Sequence, residues 1–482
     1  MILLLDPAVD LLLIPAVAAL VLSVVASYRL GARINVVASF LTLLAALSML
    51  IRRDVPGGRM IAVDDLNIVF LALNALVGFT ASWFGKDYLA HEIEIGRLRR
   101  SDLRYYHALY QILICVMNLA LLTRIAGLMW VAIEMSTLIT VLMVGMYRTH
   151  ASLEAAWKYF ILASVGIALA LFGTIMVYLA AQPVAGTGLA AMNWDGLVAH
   201  ASRFDPMLLN IAFVFILIGY GTKAGLVPLH AWLPDAHAEG PTPVSAILSG
   251  LLLNLAIYAI LRFKMVLAAN PATIAPGPMM MALGMVSVLI AALMLYRRRD
   301  IKRFFAYSSI EHVGIITLAF GIGGPLANFA GLLHMAMHCL AKSGLFFTVG
   351  HIIRLKGSQK FADIRGLTVS HPALGWMLVA GVAAIAGLPP FGVFTSEFLV
   401  VNAAFALHPL LALLLVLGLL ISLGGLFLRL NDTAFGRPSG NLSADRVSLW
   451  PAALHFALVL GAGIFLPGPL TMWFQHVAKL LG

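Results

Sequence analysis

Four charged residues lie within long apolar stretches of the sequence, where a charge needs a physical reason. They are Glu134, Lys223, Lys342 and Glu397. A charged side chain at the centre of a bilayer costs roughly 2.5 to 3.5 kcal/mol on insertion scales, so such residues usually face the protein interior or a wet cavity. The presence of any one of these charges is explained equally well by a structural ion pair or by a side chain that extends to the membrane surface. Together they favour a proton relay, because buried carboxylates and amines bind and release protons.

One apolar segment carries three regularly spaced side chains that can bind and release protons. His334, His338 and Lys342 recur at intervals of four and therefore lie along one helical face. A histidine pair at this spacing also suits haem or zinc. No cysteine or third ligand accompanies it, and Lys342 would repel a cation. The pattern favours proton transfer, and we expect neither a metal nor a cofactor on this chain.

Prolines interrupt two of the segments that carry these charges. The Pro389-Pro390 pair precedes Glu397 by two turns, and Pro228 follows Lys223 by five residues. Proline removes a helical hydrogen bond, and the freed backbone groups can hold water beside a charge. The polar residues that follow Pro228 begin with His230, which we predict to support the relay.

Relay chemistry follows from how buried acids and bases respond to distance. A carboxylate near a lysine stabilises the charged form of both, whereas burial favours their neutral forms. Moving the partners apart therefore releases or captures a proton. In a row from Glu134 through Lys223 and Lys342 to Glu397, the titration would belong to the coupled set.

The composition places these residues in a membrane. Of 482 residues, 62% are hydrophobic and 11% are charged, far from the values of a soluble domain. A helix crosses the hydrocarbon core in about 20 residues, so the chain is predicted to be an all-α polytopic protein, one domain over 1–482. Fourteen apolar segments are predicted at 7–27, 34–51, 66–84, 107–123, 126–147, 157–181, 207–236, 242–263, 277–296, 304–322, 326–353, 371–403, 410–428 and 450–474.

Three of these segments, 207–236, 326–353 and 371–403, are longer than a straight span requires. They contain proline or polar residues at mid-depth, which suggests discontinuous helices. The first segment, which follows Met1–Pro7 without a basic region, is interpreted as a span and not as a signal peptide. Cys115 and Cys339 both lie in apolar stretches without metal-ligand spacing, so neither a disulfide framework nor an iron-sulfur cluster is expected.

The basic residues indicate orientation. The formal charge is +10, but the basic residues are spread over loops and do not form a nucleic-acid patch. Cytoplasmic loops retain Lys and Arg, and an even span count with both termini on the outer side of the inner (plasma) membrane fits the distribution. The alternate loops assigned to the cytoplasm carry Arg29, Arg33, Lys86, Arg97, Arg99, Arg100, Arg104, Arg148, Lys158, Arg297, Arg298, Arg299, Lys302, Arg303, Arg354, Lys356, Lys360, Arg365, Arg429, Arg437 and Arg446. The opposite set is Arg52, Arg53, Arg59, Arg124, Arg203, Arg262, Lys264 and Lys479.

Two sequence runs echo each other. Residues 224–228 read AGLVP and residues 386–390 read AGLPP. Five helices separate them, so a repeat of five helices would be inverted in the membrane, as in many transporters. Chance in an Ala-, Gly- and Leu-rich chain also produces matches of this length.

The longest motif spans 223–246 and reads KAGLVPLHAWLPDAHAEGPTPVSA. It resembles the signature of the antiporter-like membrane subunits of respiratory complex I and its hydrogenase and Mrp relatives. The resemblance extends to Glu134, to the stripe from His334 to Lys342, and to residues 387–398, GLPPFGVFTSEF. It implies a fourteen-helix fold with inverted five-helix repeats over 107–263 (helices 4–8) and 277–428 (helices 9–13), broken at helices 7 and 12.

The resemblance also implies roles. Glu134 and Lys223 would form the input pair, Lys342 would carry the centre, and Glu397 would open to the outside. Many members have an eighth-helix lysine in the pattern Leu-Leu-Leu-Lys, where this chain has Asn254. Asparagine orients water but cannot carry a proton as a base, so the relay must pass by water or through histidines, or this subunit works differently.

Single positions favour one subfamily. Asn254, the short length, the run Ser308–His312 and the run Tyr88–Glu92 resemble the F-type subunit of membrane hydrogenases and formate hydrogenlyases. The M-type subunit of complex I is the second match. The leading function is therefore a proton-translocating membrane-arm subunit of a redox complex, a subunit of an oxidoreductase whose electron chemistry lies on partner chains.

Two other functions remain open: a stand-alone or Mrp-type cation/proton antiporter, and a membrane anchor of a redox module that does not pump. The expected partners are membrane and peripheral subunits of such a complex, protons and lipid, with no nucleic acid. Nucleotide binding is not indicated, because the glycines of 321–324 end a span without a strand-turn-helix context. The charged loop from Lys86 to Arg104 is a candidate partner contact, or simply a solvated loop.

Overall fold

A computed structural model describes residues 6–51, 58–438 and 447–482, except for the side chains at 103 and 104. Arg52, Arg53, Arg446 and the side chain of Arg104, which entered the orientation argument, lie outside this part. The α-helices of the described residues are α1 (Pro7–Val24), α2 (Tyr28–Ile51), α3 (Asn67–Glu94), α4 (Arg100–Leu122), α5 (Ala126–Val144), α6 (His150–Ala185), α7 (Trp194–His200), α8 (Pro206–Ala224), α9 (Trp232–Glu239), α10 (Thr242–Ile247), α11 (Leu253–Ala268), α12 (Gly277–Leu295), α13 (Ile301–Ile322), α14 (Gly324–Lys356), α15 (Leu367–Ser370), α16 (Pro372–Ile385), α17 (Gly392–Leu407), α18 (Pro409–Leu430), α19 (Trp450–Ile464) and α20 (Gly468–Leu480).

Most of these helices are long and apolar enough to cross a membrane. Twelve spans meet that test, counting α10 and α11 as one, and α19 and α20 make a thirteenth that is bent by 81°. The shorter apolar helices α16 and α17 do not meet this test and lie on either side of the predicted break in the twelfth segment. The prediction of an all-α polytopic protein with about fourteen transmembrane helices is confirmed; the bend between α19 and α20 was not foreseen.

The helices differ in how much of their surface faces the surroundings. The α10–α11 unit and α14 are surrounded by protein, and α13 nearly so, whereas α1, α6 and α18 expose most of their apolar surface. The stripe from His334 to Lys342 therefore lies on a central helix. A charged side chain there can only face other protein groups or enclosed water.

The predicted breaks fall in two of the three long segments. Helix α8 ends at Gly225 and α16 is followed by Gly387, and both glycines have positive φ, +79° and +63°, a conformation that residues with a Cβ rarely adopt. The expectation of a break in 326–353 was wrong, because α14 is one helix of 33 residues. Its only proline sits in the first turn, where no hydrogen bond is lost, and packed neighbours cover its polar residues.

Close helix packing places Lys223. A Cβ on Gly219 of α8 would lie 2.5 Å from the backbone nitrogen of Ala170 and 2.6 Å from the carbonyl oxygen of Gly166, both on α6. Small residues let membrane helices approach to backbone contact. The last turn of α8, which carries Lys223, is thereby held against α6.

The charged segment from Lys86 to Arg104 is mostly helical. Helix α3 continues to Glu94 and α4 begins at Arg100, so the connection comprises only residues 95–99. The prediction of a long charged loop was wrong. Glu92 is buried in the last turns of α3 and lies 3.9 Å from Arg97, so part of this charge is used inside the protein.

Candidate functional site

Lys223 is held by hydroxyl groups at the end of α8. Its side chain is 1% exposed, and Nζ donates to Oγ1 of Thr137 at 2.8 Å and to the hydroxyl of Tyr159 at 3.0 Å. Glu134 lies one turn before Thr137 on α5 and accepts a 3.4 Å hydrogen bond from Ser164. Its other carboxylate oxygen is buried without a partner. Glu134 and Lys223 are thus brought together around Thr137, with no direct ion pair between them within 4.0 Å.

The break after α8 completes this cluster. The end of a helix leaves carbonyl groups without helical partners, and the indole of Trp232, at the start of α9, donates to the carbonyl of Thr222 at 2.8 Å. The same indole stacks on Tyr159 with ring centroids 4.3 Å apart. The Pro228 region therefore folds α9 back onto the residues that hold Lys223.

Lys342, in the middle of α14, has a different environment. It is fully buried, and Nζ donates to the carbonyl oxygen of Phe305 on α13 at 3.0 Å. The acidic group that interacts with it is Glu311, also on α13. Glu311 is 2% exposed and accepts a 2.5 Å hydrogen bond from Ser422 of α18. Lys342 and Glu311 form a second amine–carboxylate set, and the sequence analysis did not predict Glu311.

Three titratable residues meet where α13, α14 and α17 pack together. Nδ1 of His312 lies 2.9 Å from Nε2 of His334 and 3.8 Å from Oε1 of Glu397. The outer nitrogen of each imidazole also has a partner: Nε2 of His312 lies 3.0 Å from the carbonyl oxygen of Ile385, and Nδ1 of His334 lies 2.8 Å from Oγ of Ser396. His334 and Glu397 were predicted, and His312 was not.

The break between α16 and α17 places Glu397. Its carboxylate rests against Gly387, where a Cβ would overlap it. The side chain is 10% exposed, while Pro389 and Pro390 in the break are exposed at the surface. Glu397 therefore lies beside a helix break whose prolines reach the surface.

Three buried histidines have no hydrogen-bond partner on either ring nitrogen: His107 on α4, and His237 and His338, which lie closer to the predicted charges. His338 lies between Lys342 and His334 on α14, with its ring 5.6 Å from that of His312. His237, on α9, stacks on Phe346 of α14 at 5.0 Å. Buried polar groups without a protein partner usually bind ordered water, so both rings suit a hydrated path.

His237 lies on α9, between the break after α8 and the central helix α14. The charged groups that act on its ring are Lys302 and Lys342, while Trp232, at the other end of α9, belongs to the Lys223 cluster. Lys302 donates to the carbonyls of Ala238 and Gly240, at 3.0 and 2.5 Å, which stabilises the C-terminal end of α9. One end of the short helix α9 thus contacts the Lys223 cluster, and the His237 ring near its other end packs against α14.

The side chain of Asn254 binds backbone groups and joins two helices. Its Nδ2 donates to the carbonyls of Gly250 and of Met335 on α14, at 3.1 and 3.0 Å. Together with Leu251 and Cys339 it lines a small, mostly apolar cavity. Asn254 thus joins α11 to α14 and contacts none of the four predicted charges.

His230 is not part of the buried row. It is partly exposed in the turn after α8, with its ring 6.1 Å from that of Tyr307. The guanidinium group of Arg298 lies over the ring of Tyr307, 4.3 Å from its centre. The structure therefore places His230 at a surface cluster near the Lys223 end.

A sequence signal existed for two of the missed residues. Glu311 and His312 are ionisable residues inside the apolar segment 304–322, and the rule that selected Glu134 and His334 would have selected them as well. His237 lies just outside a predicted apolar segment and carried no such signal.

The fold and the site define a polytopic helical membrane protein with buried acids, amines and imidazoles arranged between two broken helices. The chain belongs to the NADH:quinone oxidoreductase/Mrp antiporter transmembrane family, whose model matches residues 126–422. The matched region runs from α5 into α18 and contains every residue of the buried row. The resemblance seen in the motifs is confirmed.

Relatives and solved structures agree with this assignment. The chain is 59% identical over 462 residues to the hydrogenase-4 component F homolog of Methylacidiphilum infernorum (isolate V4), covering 96% of this chain and 97% of that protein. It is 30% identical over 423 residues to subunit N of the NADH-quinone oxidoreductase of Desulforudis audaxviator (strain MP104C), covering 86% and 80%. A chain of the membrane-bound sulfane sulfur reductase, an archaeal respiratory membrane complex, superposes with a TM-score of 0.88 at 21% identity, covering 98% and 97%. At 21% identity, this structural similarity shows a shared fold alone.

Proposed function

We propose that this chain is the proton-translocating membrane subunit of a multisubunit redox complex of the hydrogenase-4 type. The observation that carries the proposal is the set of buried titratable groups from Glu134 to Glu397, placed on helices that two breaks interrupt. The relatives are named as a hydrogenase component and a subunit of NADH-quinone oxidoreductase. Electron transfer on partner subunits would drive proton movement here, and this chain would contribute no redox centre.

The proposed route has an order. A proton enters at Glu134 and Lys223, passes His237 to reach Lys342, and continues along His338 to the His312–His334 pair and Glu397. Glu311 serves as the counter-charge of Lys342. Asn254 stays outside the route, because its amide is bound to backbone carbonyls and it cannot act as a base.

The orientation belongs to the same proposal. We place the chain in the plasma membrane with both termini on the outer side, supported by the even number of spans and by the Lys and Arg distribution. The Lys223 end then faces the cytoplasm. Ion pairs at that end join the two halves of the described chain: Asp235 lies 3.4 Å from Lys158 and 3.2 Å from Arg303.

The proposal is tested in inverted membrane vesicles that contain the intact complex. Addition of the electron donor is expected to acidify the vesicle interior in sodium-free buffer, and a protonophore is expected to abolish the signal. A pH-sensitive dye measures it. Proton movement that requires sodium would favour a cation/proton antiporter, and electron transfer without any acidification would favour a non-pumping anchor.

His237→Gln tests the route past Asn254. Glutamine keeps a polar side chain on α9 but cannot bind a proton as imidazole does, so we expect proton movement per electron to fall about tenfold or more. The matched control is His150→Gln, which removes an exposed histidine at the start of α6. Unchanged proton movement in His237→Gln would leave a water path as the connection.

A further inference from the structure

The hydrogen-bond partners of His312 fix where its protons are. Its Nε2 lies 3.0 Å from the carbonyl oxygen of Ile385, and a carbonyl only accepts, so Nε2 carries hydrogen. In a neutral imidazole the other nitrogen is then bare. The Nδ1 atom of a neutral His312 would therefore present a lone pair to His334.

The hydrogen-bond partners of His334 likewise indicate which of its ring nitrogens carries hydrogen. The hydroxyl of Ser396 donates to the carbonyl oxygen of Val393 at 2.8 Å. Its oxygen is then free to accept from Nδ1 of His334, 2.8 Å away, which leaves Nε2 bare. Two bare nitrogens 2.9 Å apart repel each other, whereas one proton between them makes an N–H···N hydrogen bond of ordinary length.

The groups around the pair can balance a positive charge at this position. The charged or titratable groups around the pair are Glu311 on α13, His338 and Lys342 on α14, and Glu397 on α17; α16 carries no ionisable side chain. Two carboxyl groups thus accompany one lysine. Buried charges are stable when they are paired, so when both carboxyl groups are ionised one additional proton on the imidazoles balances the set.

We propose that His312, His334 and Glu397 bind one proton as a unit, and that it resides between Nδ1 of His312 and Nε2 of His334 with Glu397 as counter-ion. Its role as the last loading site before release rests on the proposed function; the protonation itself does not. Transfer to Glu397 requires Nδ1 and Oε1, now 3.8 Å apart, to close by about 1 Å.

Release of a proton has a defined end state. Each imidazole then keeps the hydrogen on its outer nitrogen: Nε2 of His312 donates to the carbonyl oxygen of Ile385, and Nδ1 of His334 donates to Oγ of Ser396. The two facing nitrogens are both bare in this state and repel each other, which favours the binding of the next proton.

Solid-state nitrogen NMR of the full chain in lipid bilayers, labelled at the histidine rings, tests the proposal without any electron donor. We expect a through-hydrogen-bond coupling between two ring nitrogens, each with a shift between those of a protonated and a bare nitrogen. The signal should vanish in both His312→Gln and His334→Gln and persist in His150→Gln. Because the coupling is read from the wild-type chain, it does not depend on how the variants fold.

Two outcomes would overturn the proposal: a bare-nitrogen signal from His312 or His334 at neutral pH, or a stoichiometric bound metal that replaces the coupling. Failure of the proposed function would look different. In that case the coupling would be present, while the intact complex with His312→Gln would move protons as the wild type does.

Discussion

Glu134→Gln is expected to reduce proton movement by the complex by about 10²-fold or more, the scale of losing a positioned acid–base group. Glutamine has nearly the same shape and still accepts the hydrogen bond from Ser164. It cannot bind or release a proton, and it removes the negative charge that faces Lys223. The helices should therefore stay in place while the first transfer is lost. The measurement is protons moved per electron in inverted vesicles.

Glu154→Gln is the matched control for this variant. Glu154 lies on α6, is half exposed, and pairs with Lys158 at 2.6 Å on the surface. The same change of charge at that position should leave the proton-to-electron ratio unaltered. A normal ratio in Glu134→Gln would contradict the relay from its first step and would favour the interpretation as an anchor.

The two lysines of the row share one feature of their environment. Lys223 donates to the hydroxyls of Thr137 and Tyr159, and Lys342 donates to a backbone carbonyl. In neither case does a carboxylate lie within 4.0 Å of the amine. Each lysine thus has a nearby acid that it does not yet touch, so a small movement of either partner would change the charge that each prefers to carry.

The local parts of this architecture could be predicted from the sequence. The length of the apolar segments predicts the spans. The glycine-proline runs that end at Pro228 and Pro390 predict the two breaks, because proline and a glycine with positive φ change the conformation of the backbone at their own positions. The 33-residue α14 shows the limit of that reasoning. Mid-depth polar residues were taken as a sign of a break, but packing from all sides supports them in a continuous helix.

The connections between segments could not be predicted. Whether His312 meets His334, or His237 meets Phe346, depends on which helices pack together over many residues of intervening chain. The apolar segment that contains His334 holds no third metal-ligating residue. The fold nevertheless brings His312 and Glu397, from two other segments, next to His334. Asn254 marks a missing base in the sequence pattern, and His237, the residue that we propose in its place, lies on a different helix, α9.

Lys342→Met separates the role of this lysine in proton transfer from its role in stability. The substitution removes the amine that faces Glu311 and is expected to abolish proton movement. It should also lower the thermal stability of the complex, because Glu311 is left in the protein interior without the amine that faces it. Thermal unfolding of the purified complex measures the second effect.

The double variant Lys342→Met/Glu311→Gln distinguishes the two roles. Removal of both charges should restore most of the stability, because no buried charge is left uncompensated, as when both partners of a buried ion pair are replaced by neutral groups. Proton movement should stay lost, since methionine cannot carry a proton from His237 towards His338. If the double variant regained both stability and proton movement, Lys342 would be a structural cation and the route would have to pass through water beside it. If it regained neither, the 2.5 Å hydrogen bond from Ser422 to Glu311, and not the charge of Lys342, would be the interaction that stabilises the protein at this position.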